Sequence, residues 1–254
     1  MTQAIILTTQ RTGSTFLVTC LDSHPDVCCM GEILTGSRLV HVPDFINRFR
    51  FGNKAYRYLR AGAWLPARVM RRFLDEGYLA GKQLGLHPVM AFKVMYNQAR
   101  PPWIRNFLLG RSDLRILHLR RENLLKVYIS NQLLKFKRDD RWKPHTTEPV
   151  APIRIRISAQ SAIEFMRRAS AEFDAHERLF RGHARLPLSY ERMIDGTELR
   201  ADVASAVCRF LGIAERPMAS KLVKMNPERI EGMVANHDEL AAAVSRTEFA
   251  WMLD

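Results

Sequence analysis

Residues 4–17 read Ala-Ile-Ile-Leu-Thr-Thr-Gln-Arg-Thr-Gly-Ser-Thr-Phe-Leu. A short apolar run suited to a buried strand breaks into a polar turn with one glycine. Apolar residues then recur at helical spacing through Phe16, Leu17, Cys20 and Leu21. A strand that turns directly into a helix commits this part of the chain to an α/β arrangement. The first N–H groups of such a helix have no intrahelical acceptors, and the helix dipole adds partial positive charge there. Gly13 lets the backbone approach an anion closely, Ser14 and Thr15 offer hydroxyls, and Arg11 supplies a forked cation that suits phosphate or sulfate. The plainer alternative is a Ser- or Thr-capped helix after a buried strand. The turn is not a Walker A loop, because no lysine follows Gly13 and the first glycine of that motif is missing.

A chain of 254 residues has the length of one α/β domain, here taken as 1–254. Its 47% hydrophobic content is that of a globular protein. No apolar run approaches the roughly 18–20 residues that span a bilayer, and no basic-then-apolar leader precedes the first strand, so a cytoplasmic location is expected. Four cysteines are too few for a disulfide framework. Cys20 and Cys208 fall in apolar helical patterns, and the adjacent Cys28 and Cys29 lack metal-ligand spacing. The net charge of +13 calls for an anionic ligand, an anionic surface or nucleic acid. The basic residues are dispersed and match no nucleic-acid-binding motif, so a solvated basic face is the simpler account of most of them and no nucleic acid is expected as a partner.

Four strand candidates stand out: 4–8, 89–95, 114–119 and 185–189. Each is short, mainly apolar and followed by helical sequence, which argues for parallel strands joined by crossovers and a sheet covered on both faces. Two longer stretches interrupt the alternation. Residues 33–88 mix aromatics with arginines, and residues 139–157 carry three prolines. Such insertions commonly form the acceptor pocket or a lid on α/β scaffolds.

The third candidate strand ends at Arg120-Arg121, followed by a helical pattern with apolar positions 124, 125, 128, 129 and 133. Ligands of open parallel sheets sit beyond the carboxyl ends of the strands. The Arg11 turn and the Arg120-Arg121 corner therefore share one rim, and two anion sites on one rim suit a nucleotide with phosphates at both ends.

These residues resemble the sulfotransferases that use 3′-phosphoadenosine 5′-phosphosulfate (PAPS), particularly the bacterial carbohydrate and lipid-type members. The likeness rests on Gln10–Leu17, Ser23-His24-Pro25 with Gly31-Glu32, and Leu119–Asn123 with Ser130. It extends to Ser189-Tyr190-Glu191, Phe210-Leu211-Gly212 and the tail from Lys221 to Pro227. The resemblance implies a P-loop-like central parallel sheet flanked by helices, with the insertions forming the acceptor region. It implies that Arg11, Thr12, Gly13, Ser14 and Thr15 hold the 5′-phosphosulfate, that Arg121, rather than Arg120, and Ser130 hold the 3′-phosphate, and that Lys224 closes the site. PAPS would be the donor and PAP the product.

Sulfuryl transfer requires in-line attack by a hydroxyl on sulfur, cations and amides around the leaving oxygen, and a base for the acceptor proton. Arg11 and the turn amides meet the second need. Glu32 is the expected base, with His24 and His118 as alternatives; His24 equally suits a turn, and His118 a hydrogen-bonded core. No metal is required, and the eight histidines show no ligand cluster. Lys93, set among apolar residues, needs a carboxylate partner or access to the rim. The acceptor is expected to be a carbohydrate, a lipid or a small molecule, and the basic surface is compatible with peripheral membrane contact. The sequence does not give the oligomeric state. The competing readings are a divergent P-loop nucleotide kinase or NTPase, which would need the missing lysine, and a non-catalytic basic binder of nucleic acid or membranes.

Overall fold

The computed structural model describes residues 2–32, 87–136, 153–222 and 229–253. Five parallel strands form the central sheet in the order β2-β3-β1-β4-β5: β1 (Thr2–Thr8), β2 (Val27–Met30), β3 (Val89–Met95), β4 (Arg115–Arg120) and β5 (Arg185–Ser189). The helices are α1 (Ser14–Asp22), α2 (Tyr96–Ala99), α3 (Pro102–Leu109), α4 (Leu124–Phe136), α5 (Ala159–Leu179), α6 (Tyr190–Met193), α7 (Ala201–Leu211) and α8 (His237–Val244). A two-stranded ribbon, β6 (Ile194–Asp195) and β7 (Glu198–Leu199), lies between α6 and α7.

β1 is central because it can be buried on both faces. Ala4, Ile5, Ile6 and Leu7 are fully shielded from solvent. Their alternation sorts them into two cores. Ala4 and Ile6 pack with Leu17 and Cys20 of α1 and Val207 and Cys208 of α7, whereas Ile5 and Leu7 pack with Phe107 and Leu108 of α3 and with Phe180. From β1 the chain builds outward to β2, returns through β3, and then crosses to β4 on the other flank. That reversal falls between β1 and β4, where Leu7 pairs with His118, and open parallel sheets commonly bind ligands beyond the carboxyl ends of strands at such a point.

The sequence pattern located four of the five strands. The fifth, β2, is a four-residue edge strand whose Val27 and Cys29 face one core and Met30 the other. Cys28 and Cys29 are thus strand residues. β4 runs one residue later than expected, with buried Leu114 just ahead of it.

A third core joins α4, α5, α8 and the 3-10 turn at Ala250–Leu253. Asn123 fastens that core to the sheet edge. Its side-chain amide donates to the Met252 carbonyl at 2.7 Å, and its Oδ1 accepts from the Lys126 amide at 2.9 Å. Ile155 and Ile157, from the stretch expected to form the second insertion, are buried in the same core. The rest of that stretch up to residue 152, and residues 33–86 of the first, lie outside the described residues.

Candidate functional site

The first corner is the turn from β1 into α1. Thr8 Oγ1 donates to the Leu119 carbonyl of β4 at 2.8 Å, and the Thr12 hydroxyl lies 2.6 Å from it. These two buried hydroxyls brace the turn across the sheet, so the Thr12 side chain works inside the loop. Arg11 holds a left-handed backbone with φ 61°, a conformation that costs a non-glycine residue roughly 1–2 kcal/mol and persists only where its surroundings enforce it. Gly13, also left-handed at φ 78°, precedes α1 with no side-chain cap on the helix. A Cβ on Gly13 would lie 2.2 Å from the Tyr190 ring, so glycine is required for space as well as for conformation.

The second corner is Arg121, just past β4. Its guanidinium lies 4.7 Å above the Tyr190 ring, and Nη1 donates to the Arg11 carbonyl at 3.3 Å. Its Nε is buried, makes no hydrogen bond, and stands 3.7 Å from Glu191 Oε1. Arg11 in turn donates from Nε to Ser130 Oγ of α4 at 2.8 Å. Burial foremost, and then the like charge of Arg121, push Arg11 below its ordinary pKa; burial does the same to Arg121, with Tyr190 and Glu191 opposing. Both groups remain cations. The fold therefore brings two like charges together in a poorly solvated place, an arrangement that an anion would relieve.

The sequence assigned Arg11 to one end of the donor, and Arg121 with Ser130 to the other. The structure joins all three, with Arg11 reaching Ser130 itself. Ser14 is buried at the first turn of α1 beside Thr15. Arg120 turns outward: it is 52% exposed on its side chain and lies over Phe173.

Glu32 follows β2 directly, so a strand stands between it and the first helix. Its Oε1 lies 3.0 Å from Lys93 Nζ of β3, and its Oε2 accepts from Gln98 Nε2 at 2.9 Å. Gln98 is held in turn, since its Oε1 accepts the Met95 amide at 2.9 Å. Lys93 thus has the carboxylate partner that its apolar setting demanded. β3 separates β2 from β1, so the Glu32 backbone lies two strand spacings, roughly 10 Å, along the rim from β1.

Both alternative bases are engaged in the core. His24 Nδ1 accepts the Asp26 amide at 3.1 Å, which leaves its Nε2–H to donate to the Ala214 carbonyl at 3.0 Å. His118 meets the Tyr96 hydroxyl at 2.7 Å and stacks on Phe173. Burial, and then the charges of Arg185, His176 and Arg120, lower the pKa of His118 to about 4.

Lys224 lies outside the described residues. The chain just before it is held along α1, with the Ala219 amide donating to Ser23 Oγ at 3.1 Å and Ser220 Oγ 2.6 Å from Thr19 Oγ1. Among the described residues, no group of three His, Cys, Asp or Glu is placed to hold a metal, and no helix is long and apolar enough to cross a membrane.

Sequence reasoning assigned no role to Tyr190 or Glu191. Their signal was positional: they follow β5 at the carboxyl rim, and the register Arg120↔Ser189 sets them beside Arg121.

No protein-family model matches the chain, and no curated protein matches its sequence. Its structure is similar to that of a sulfotransferase from Alicyclobacillus acidocaldarius, with a TM-score of 0.50, 14% identity, and coverage of 100% of this chain and 94% of that one. The likeness establishes a shared fold: a central parallel sheet flanked by helices.

Proposed function

We propose that this chain is a PAPS-dependent sulfotransferase that moves a sulfuryl group to a hydroxyl of a carbohydrate, lipid or small-molecule acceptor. The observation that carries this reading is the pair of half-buried, like-charged guanidiniums, Arg11 and Arg121, beside the start of α1, which has no side-chain cap, at the point where the sheet reverses its order. A phosphate-bearing anion offsets positive charge that this corner concentrates, and the shared fold agrees with it.

In the proposed reaction the acceptor oxygen bonds to sulfur as the bond from sulfur to the bridging phosphate oxygen breaks, and PAP leaves. The amides of Gly13, Ser14 and Thr15, with the Ser14 and Thr15 hydroxyls and Arg11, face the charge that gathers on the leaving phosphate. Arg121 and Ser130 take the 3′-phosphate. Glu32, oriented by Lys93 and Gln98, accepts the acceptor proton. Lys224 is assigned the closing contact from the tail. The chemistry calls for no metal, because the sulfate arrives already activated.

Thermal-shift titration tests the donor assignment. PAP should raise the melting temperature without magnesium. Stabilisation by ATP with magnesium and not by PAP would indicate a nucleotide kinase, and a response to DNA or anionic vesicles alone would indicate a binding protein. Transfer of radiolabel from PAPS to a panel of sugars, glycolipids and phenols then identifies the acceptor class.

A further inference from the structure

The two helices that meet the donor corner begin differently. α1 follows Gly13 with no side-chain cap. The two residues just ahead of α4 are held from another part of the chain, while Asn123 Oδ1 accepts the Lys126 amide inside the first turn. Glu191 Oε2 accepts the Glu122 amide at 2.9 Å, and its Oε1 accepts the Asn123 amide at 3.2 Å. Ser189 Oγ lies 3.3 Å from the same carboxylate. The lead-in to α4 is thus fixed by the Glu191 carboxylate, and its first turn is capped by the Asn123 side chain.

The carboxylate also stands 3.7 Å from Arg121 Nε, near enough to steady the guanidinium by charge, yet Nε makes no hydrogen bond. Tyr190 completes the geometry, with its ring against Gly13 on one side and under Arg121 on the other. One dipeptide therefore spaces the start of α1 from Arg121 and fixes the start of α4. Ser130, the partner of Arg11, stands seven residues beyond Asn123, about two turns along the same helix face.

We infer that Glu191 is a positioning residue for nucleotide choice: by holding the Glu122 and Asn123 amides just ahead of α4 and steadying Arg121, it directs the 3′-phosphate onto Arg121, and sets α4 so that Ser130 and Arg11 meet. Glu191 touches no phosphate; it acts through Arg121 and α4. The inference rests on the donor assignment proposed above and adds the source of its preference for a 3′-phosphorylated nucleotide.

Isothermal titration with PAP and with 5′-AMP, which lacks the 3′-phosphate, tests it on wild type, Glu191→Ala and Glu191→Gln. Wild type should favour PAP. Glu191→Ala should lose about tenfold in PAP affinity while 5′-AMP changes less than twofold. Glu191→Gln should recover part of the loss, because its amide oxygen still accepts from the backbone just ahead of α4. A PAP to 5′-AMP ratio unchanged in Glu191→Ala overturns the inference alone, as does loss of both ligands together. Tighter PAP binding would mean that the carboxylate competes with phosphate, and also overturns it. A wild type that binds no PAP removes the donor assignment and this inference with it.

Discussion

Two corners of one sheet edge handle buried charge in opposite ways. At the ends of β1 and β4, Arg11 and Arg121 bring like charges together, and Arg121 Nε is left without a hydrogen bond. Past β2 and β3, Lys93 and Glu32 neutralise each other at 3.0 Å, with Gln98 as a further donor. Glu191, 3.7 Å from Arg121 Nε, offsets part of the charge at the first corner, and under the proposed function the donor's phosphates offset the rest. The second is complete before any ligand comes, and suits orienting a group rather than attracting one.

The sharpest way to break this contrast is Arg121→Ala. Losing a cation that meets a phosphate through charge-assisted hydrogen bonds should weaken PAP binding by about 100-fold, with a far smaller loss for 5′-AMP, read by titration calorimetry. Equal losses for both nucleotides would remove Arg121 from the 3′ position.

The second corner answers to stability as well as to rate. Lys93→Met should lower unfolding stability by about 1–2 kcal/mol in chemical denaturation, discounted because the Glu32 side chain is 25% exposed. Glu32→Gln should cut turnover at least 100-fold while PAP affinity stays within twofold. The double variant should regain part of the stability lost by either single one, since no charge is then left alone. A Glu32→Gln enzyme with full turnover would make the pair purely structural.

Gly13→Ala joins the two ways a site fails. The added Cβ meets the Tyr190 ring, and φ 78° is strained for alanine. A loss of about 1–2 kcal/mol in stability, with weaker PAP binding, is expected by denaturation and titration. Unchanged affinity would show that Tyr190 yields freely and does not space the corner.

The smallest effect on the corners should come from His118→Gln, which serves as a control. His118 has its pKa lowered to about 4 in the folded chain, so between that value and the ordinary His pKa of about 6.5 the unfolded chain binds more protons. The stability contributed by neutral His118 is therefore full above about pH 6.5 and lost as pH falls toward 4. His118→Gln should flatten that slope in denaturation curves and leave PAP affinity unchanged near neutral pH.

What the sequence made legible follows from how local each signal is. β1, the Arg11 turn and α1 are one contiguous pattern, and β4 with Arg121 is another, so both could be read along the chain. That Lys93 needed a carboxylate was readable from its apolar neighbours; that the partner was Glu32 was not, because the pairing depends on β2 lying beside β3. β2 escaped notice because four residues carry too little alternation to separate from a turn. Glu191 and Tyr190 act on residues about 70 and 180 positions away, contacts that only the β4–β5 register creates.

The hydrogen bond from Asn123 to the Met252 carbonyl ties the start of α4 to the far end of the described chain. The corner that draws on residues 11, 121, 130 and 191 is thus tied to a residue 129 positions beyond Asn123. The Arg11 turn is a local pattern but this grip is not, so the start of α4 should settle only once the 250–253 turn has docked, in one step with the third core rather than gradually as the sheet assembles.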